Sequence, residues 1–271
     1  MKLCWLLINY FKEEELVSFV REFLLDQTEG DIEVRIADNG SYKPEVLDGL
    51  LSDKRVRIDG NGTNLGYFGG ANLAFQGYQL EHGSFPDLIV ISNFDVEFDK
   101  KNFISKMQEE VLKSPFQILA PRIRNRNSLS EMNPYYSERI SISKLNRLIS
   151  ITAFYPLYAI YQLLHLVKKN VSSSGFEGKS DGPFYAIHGS FIILKREYFE
   201  SGAHLTFGSF LYGEELFLAE MAALHRLKTG VCKSIEVIHK EHSTTGVFKS
   251  AKHMRFLHDS LVYIRQNFFK G

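Results

Sequence analysis

The chain has 271 residues, 44% apolar and 13% aromatic, enough to bury a substantial core as one large domain or two merged halves. Lys plus Arg equals Asp plus Glu at 32 each, and no basic groove with regular aromatic spacing appears, so nucleic acid is excluded as a partner. Two cysteines, Cys4 and Cys232, stand far apart without C-x-x-C spacing, which excludes a thiolate zinc cluster and fits a reducing compartment.

The apolar opening Leu3–Ile8 is too short for a signal-peptide core and lacks a small-residue cleavage site, so it reads as a first strand and the chain as cytoplasmic. Further β-rich runs at Ile32–Ala37, Arg55–Ile58 and Leu88–Ser92 alternate with helical patterns at Glu13–Leu25, Pro44–Leu51 and Gly69–Leu80. That alternation predicts a mostly parallel sheet flanked by helices. In such sheets ligands bind beyond the carboxyl ends of the strands. There the sequence places Asn9-Tyr10, Asp38-Asn39-Gly40-Ser41, the run from Asn61 to Gly70, and Asn93-Phe94-Asp95, all polar. A helix at Lys100–Leu112 and a strand at Gln117–Ala120 follow, then an irregular segment, Arg122–Ser143.

From Leu148 to Val167 run 20 residues without a charged side chain, interrupted by Ser150, Thr152, Pro156, Gln162 and His165. This reads as a buried helix or an interfacial membrane segment rather than a span. Within residues 121–170, eight Lys and Arg face only Glu131 and Glu138, an excess that suits an anionic membrane surface or a lipid pyrophosphate. The second half is expected to continue with a strand Phe184–Leu194, a short helix Lys195–Ser201, a helix Gly213–Leu227 stopped near Gly230, a strand Lys233–His239 and a closing helix Ala251–Phe269.

Asp38 ends the second strand, where a carboxylate can accept from a base imide or ribose hydroxyl, although Asp-Asn-Gly is also an ordinary turn. The glycine-rich run Gly60–Asn72 contains neither G-x-G-x-x-G nor a Walker Lys-Ser/Thr. It offers instead a flexible backbone entering a helix N-terminus, where free amides can hold an anion. Asp95 follows a buried strand in the crevice where a cation bridging two phosphates would sit, and Mg²⁺ or Mn²⁺ wants carboxylate oxygen there. Asn93 replaces the first carboxylate of a D-x-D pair, so a further ligand is needed. His239 and His242 are the candidates; their spacing in an extended segment makes a shared direction unfavourable, and His239 is preferred. Glu214 and Glu215 open a helix, where acids also serve simply to stabilise the first turn.

In their order and spacing these pieces resemble the family 2 glycosyltransferases of the GT-A fold, especially rhamnosyltransferase-like members that build bacterial capsule and O-antigen polysaccharides. The resemblance rests on Leu6–Tyr10, Asp38–Ser41, Asn64–Asn72, Asn93–Asp95, His188-Gly189-Ser190-Phe191 and Phe210–Glu215. It implies an α/β, Rossmann-like sheet with a nucleotide-sugar-binding half (1–99), a smaller acceptor-side half (100–248, with 144–169 a candidate membrane-surface segment on the inner face) and a C-terminal helix (249–271). It implies Asn9, Asp38, Asn64, Gly66, Gly70, Asn72 and Asn93 around a dTDP- or UDP-sugar. It further implies Asp95 and His239 on Mg²⁺ or Mn²⁺, Glu215 as general base with Glu214 its neighbour, and a glycan or polyprenyl-pyrophosphate-linked acceptor. Glu220 stands where many relatives carry Arg, so pyrophosphate contacts inferred from that Arg do not carry over. The rival readings are a sugar-phosphate nucleotidyltransferase, whose early basic glycine loop is missing here, a non-catalytic nucleotide-sugar binder or assembly subunit, and a structural membrane-surface protein.

Overall fold

The computed structural model describes residues 1–26, 31–40, 44–60, 62–171, 182–240 and 250–269; Ser41, Asn61 and His242 lie outside these. Eight strands form one sheet: β1 (Lys2–Asn9), β2 (Asp31–Asp38), β3 (Val56–Asp59), β4 (Leu88–Ser92), β5 (Val96–Glu97), β6 (Ile118–Asn125), β7 (Phe191–Lys195) and β8 (Thr229–His239), in the order β3-β2-β1-β4-β7-β6-β8-β5. The β3-β2-β1-β4 side is parallel throughout, as the strand–helix alternation predicts. Crossing helices are α1 (Glu13–Phe19, continuing as a π-helical turn Val20–Leu25), α2 (Pro44–Leu51) and α3 (Gly66–His82). β1 is apolar along its length because both its faces are buried. Leu3, Trp5 and Leu7 pack with Val34, Ile36 and Leu16 on one face, while Cys4 and Leu6 pack with Ile89, Ile91 and Phe68 on the other.

The second half departs from simple alternation. β7 enters antiparallel between β4 and β6, and β5 pairs antiparallel with β8 at the sheet edge. Only the last part of the expected strand Phe184–Leu194 is a strand. Phe184 and Ala186 make single bridges to Thr229 and Tyr136, and this run is apolar because Ala186 and Ile187 are buried in a loop. Gly230 does not stop a helix. α8 (Glu214–Leu224) ends earlier, Arg226 takes the left-handed turn (φ 56°), and Gly230 lies inside β8, where an added Cβ would meet the Phe116 ring at 2.0 Å. α4 (Phe103–Lys113) and α7 (Arg196–Glu200) complete the sheet's cover.

The uncharged stretch divides into α5 (Ile142–Thr152) and α6 (Tyr155–Val171), broken just ahead of Pro156 where proline fits a helix's first turn. Among the described residues no helix is long and apolar enough to cross a membrane. Three acids from elsewhere in the chain meet part of the basic excess of residues 121–170. Arg122 and Arg124 pair with Glu236, Arg126 with Glu97, and Arg139 with Glu220. α5 packs on the closing helix α9 (Ala251–Phe268).

Candidate active site

Parallel pairing brings the first two strand-end loops together, since Asn9 of β1 stands opposite Asp38 of β2. Both are buried. The Asn9 side chain is turned toward α1, with its amide on Glu13 Oε1 (3.4 Å) and its Oδ1 accepting from Lys12 N–H (3.4 Å), so it fixes the loop. Asn39 ties the next two loops: its amide donates to Gly66 O (2.9 Å) and its Oδ1 accepts from Leu65 N–H (3.3 Å). Asn64 Oδ1 accepts from Gly66 N–H (3.0 Å). α3 therefore begins at Gly66, three residues before the expected Gly69, because two asparagines satisfy backbone groups of the entering loop. Gly66 has φ 76°, and a Cβ there would stand 1.8 Å from Phe210 O. Gly70 packs on β1 with more room, its Cβ position 3.0 Å from Ile8 Cγ2 and 3.2 Å from Asn39 Oδ1. Asn72 is half-buried one turn further along α3.

The antiparallel entry of β7 explains the centre of the site. Ser92 pairs with Phe191, so the residues leaving β4 lie beside those preceding β7, and Asn93 N–H donates to Ser190 O (2.9 Å). Asp95 then reaches β8, whose His239 pairs with Val96. His239 Nε2 is 3.1 Å from Asp95 Oδ1, and its buried Nδ1 has no hydrogen-bond partner among the described residues. A divalent cation fits this pair: two cis ligands of an octahedral ion with bonds of about 2.1 Å stand about 3 Å apart. The carboxylate suits Mg²⁺ or Mn²⁺ and the imidazole favours Mn²⁺ of the two, with further positions left to phosphate oxygens and water. The other acid–histidine cluster among the described residues, Glu33, Glu81 and His82, is already engaged by Arg35 and Arg57.

His188 ends in the same crevice. Its N–H donates to Asn133 Oδ1 (2.8 Å), its Nδ1 lies 2.9 Å from Ser190 Oγ, and its ring stands 5.8 Å from that of His239. Burial, reinforced by His239, lowers its pKa to about 4, so the ring is neutral at physiological pH.

The adjacent glutamates have different surroundings. Gly213 caps α8 from a left-handed conformation (φ 88°), and Glu214 folds back so that its Oε1 accepts from Tyr212 N–H (3.0 Å). Glu214 is 7% exposed, and burial with the Glu215 charge beside it pushes its pKa up to about 8. Glu215 faces the crevice and its Oε1 accepts from Gly189 N–H (3.3 Å). Burial raises its pKa too, opposed by its backbone hydrogen bonds. Both carboxyls are thus pushed toward the protonated form, Glu214 partly by the charge of Glu215 beside it.

Beside the two acids opens a cavity of about 520 Å³ lined by Tyr135, Tyr136, Tyr158, Tyr161, Tyr212 and His253, with leucines of α5 and α9 behind them. The Glu215 charge and burial raise the Tyr135 hydroxyl pKa, which keeps it a proton donor. Glu220, one turn along α8, is fully engaged. Arg139 donates to both its oxygens (2.8 and 2.6 Å), and the Tyr185 hydroxyl donates to one of them (2.6 Å).

Of the residues expected at the site, Asp95, His239, Asn93, Glu214 and Glu215 converge, and Asp38, Asn64, Gly66 and Gly70 line or shape the loops leading to it. Asn9 lies beside Asp38, its carbonyl accepting from Asn39 N–H (3.0 Å), and Asn72 lies further along α3. His188, Asn39, Tyr67 and the tyrosine cavity were not singled out from sequence. His188 and Tyr67 do lie inside quoted segments, where a histidine beside a glycine and an aromatic in a glycine loop were the available signals.

Residues 5–171 match the model of Glycosyl transferase family 2, and the chain belongs to that family. No curated protein matches it. Its backbone is similar to S. aureus TarS 1–349 in complex with UDP-GlcNAc, with TM-score 0.60 and 11% identity over 100% of this chain and 68% of that one. TarS 1–349 without that ligand gives TM-score 0.55 and 11% identity over 99% and 72%. GalNAc-T7 with UDP, GalNAc and Mn²⁺ gives TM-score 0.55 and 12% identity over 98% of this chain and 48% of that one. These likenesses establish the GT-A fold, and the family makes the chain a glycosyltransferase.

Proposed function

We propose that the chain is an inverting glycosyltransferase that moves a hexose or deoxyhexose from a UDP- or dTDP-sugar to a glycan hydroxyl in bacterial surface polysaccharide synthesis. The observation that carries this reading is the position of Glu215, a carboxyl group held by the Gly189 N–H between the strand-end crevice and the tyrosine cavity. Residues 1–99 supply most of the donor side and 100–248 most of the acceptor side. His253, Leu257 and Leu261 of α9 add to the latter. TarS and GalNAc-T7 were solved with UDP or a UDP-sugar, which supports a uridine donor; the rhamnosyl reading rests on the sequence resemblance alone.

In the reaction a Glu215 oxygen takes the acceptor proton as that hydroxyl attacks the anomeric carbon, and the nucleoside diphosphate departs from the opposite face. One base and one displacement give inversion. Asp95 and His239 would hold a divalent cation, which when bound would neutralise charge on the departing diphosphate. His188, neutral beside them, adds no competing charge. Glu214, protonated at neutral pH, spares Glu215 a second negative neighbour. No Lys or Arg lines the cavity among the described residues, and two acids do. This favours an uncharged sugar terminus over a pyrophosphate beside the base, so on a polyprenyl-pyrophosphate-linked acceptor the lipid phosphates would lie outside.

Thermal unfolding with UDP-, dTDP- and GDP-sugars, each with and without Mn²⁺, tests the donor site. A bound donor at a hundredfold excess over its Kd should raise Tm by about 5–10 °C. The Mn²⁺-dependent part should disappear in Asp95→Asn. No shift with any nucleotide sugar would defeat the reading. A shift without turnover, by contrast, would favour a non-catalytic binder.

A second reading concerns α6, whose outer face exposes Leu157, Ile160, Leu163 and Leu164, with Phe154 exposed just before it, while Tyr158 and Tyr161 of the same helix line the cavity. That apolar face supports peripheral membrane contact at the acceptor side. Unchanged recovery with anionic vesicles after Leu163→Glu/Leu164→Glu would remove it.

A further inference from the structure

The base is held by a peptide that is itself held from the donor side. Gly189 N–H donates to Glu215 Oε1 (3.3 Å), and on the same residue Gly189 O accepts from the Tyr67 hydroxyl (3.1 Å). Tyr67 belongs to the first turn of α3, directly after the loop fixed by Asn39 and Asn64. Its hydroxyl lies within electrostatic reach of Glu214, Asp95 and Glu215, which together with burial raise its pKa and keep it protonated, hence a donor. A Cβ on Gly189 would stand 2.9 Å from Glu215 Oε1, so a side chain at the joint would displace the carboxylate. On the other flank Gly66, one residue before Tyr67, abuts Phe210 O in the segment leading to Glu214-Glu215.

From this geometry we infer that Tyr67 is a positioning residue for the general base: its hydroxyl fixes the Gly189 peptide, whose N–H in turn aims the Glu215 carboxylate at the acceptor. The inference rests on Glu215 being the base. It links the loop expected to surround the donor to the group that activates the acceptor, through hydrogen bonds that are individually ordinary but consecutive. Tyr67 needs no contact with either substrate for this role.

Tyr67→Phe deletes only the hydroxyl. With whichever UDP- or dTDP-sugar of the thermal panel turns over, kcat should fall about tenfold, as expected for one hydrogen bond lost at a positioned group, while donor KM stays within about twofold. Adding Tyr67→Phe to Glu215→Gln should cost nothing more, because residues acting through one another are not additive. Carbon-13 NMR titration of Glu215 in the free protein gives a readout independent of turnover. Glu214, Tyr67, Tyr135 and Tyr136 are the ionisable groups facing it, and Tyr67→Phe should move its pKa upward as the Gly189 N–H loosens. Unchanged kcat and unchanged titration in Tyr67→Phe, or a raised donor KM with kcat intact, would overturn the inference. Full activity of Glu215→Gln would instead overturn the base assignment beneath it, so the two failures are separable.

Discussion

The donor-side loops and the acceptor-side cavity meet at Glu215, yet they are held in opposite ways. On the donor side, short amides and glycines let backbone approach backbone: Asn39 bridges to Gly66, Gly60 sits against Asp38, and Gly66 abuts Phe210 O. On the acceptor side, long side chains reach across many residues of sequence. Arg139 meets Glu220, the Tyr158 hydroxyl lies 3.2 Å from His253 Nδ1, and Lys144 covers the Tyr136 ring. The donor side lacks room and the acceptor side depends on side-chain atoms. The first should therefore be damaged by adding atoms and the second by removing them.

The strongest way to break that contrast is Gly66→Ala. The added Cβ would lie 1.8 Å from Phe210 O at a left-handed φ of 76°, so unfolding in urea should show at least ~3 kcal/mol lost. An unperturbed midpoint would mean that the two segments move apart freely. Next in size is Arg139→Met, which removes two hydrogen bonds from Glu220, 2% exposed, while Arg139 itself is 51% exposed. Because Tyr185 remains, a loss of about 2 kcal/mol is expected in the same measurement, and Glu220→Gln added to it should restore part. A third test, read as a slope with pH and not as a lost contact, sharpens the comparison at the meeting point. Glu214 rises from the ordinary 4.5 to about 8, so the folded chain keeps a proton that the unfolded chain releases. Stability should thus decline as pH rises from about 4.5 to about 8, the reverse of the usual salt-bridged acid. Metal-free protein scanned by thermal unfolding across this range should show that slope, and Glu214→Gln should reduce it, leaving the part that the raised Glu215 contributes.

The same contrast explains what could be read from sequence. The parallel half follows from local pattern, because each strand, loop and helix is contiguous, and its strand-end loops fall at predictable places. Asp95 and His239 were paired by chemistry before any geometry. What escaped depends on pairing between distant segments. The buried loop Phe184–Ser190 has the apolar signature of a strand without the partners of one. His188 enters the site only because β7 runs antiparallel beside β4. The basic excess of residues 121–170 is partly offset once Glu97, Glu220 and Glu236 arrive from other elements. Glu214 and Glu215, indistinguishable as a dipeptide, separate once one reaches back to Tyr212 and the other across to Gly189.

The central position of β7 also bears on how the chain is made. Leu88–Ser92 is apolar at every position but Ser92, and its outer partner is Phe191–Lys195. During synthesis about a hundred residues separate them, an interval of roughly 5–20 s at ordinary elongation rates. For that time the half-built sheet carries a hydrophobic edge of the kind that recruits other strands. A nascent chain paused between residues 92 and 191 would therefore be the aggregation-prone species, and chaperone demand should concentrate there.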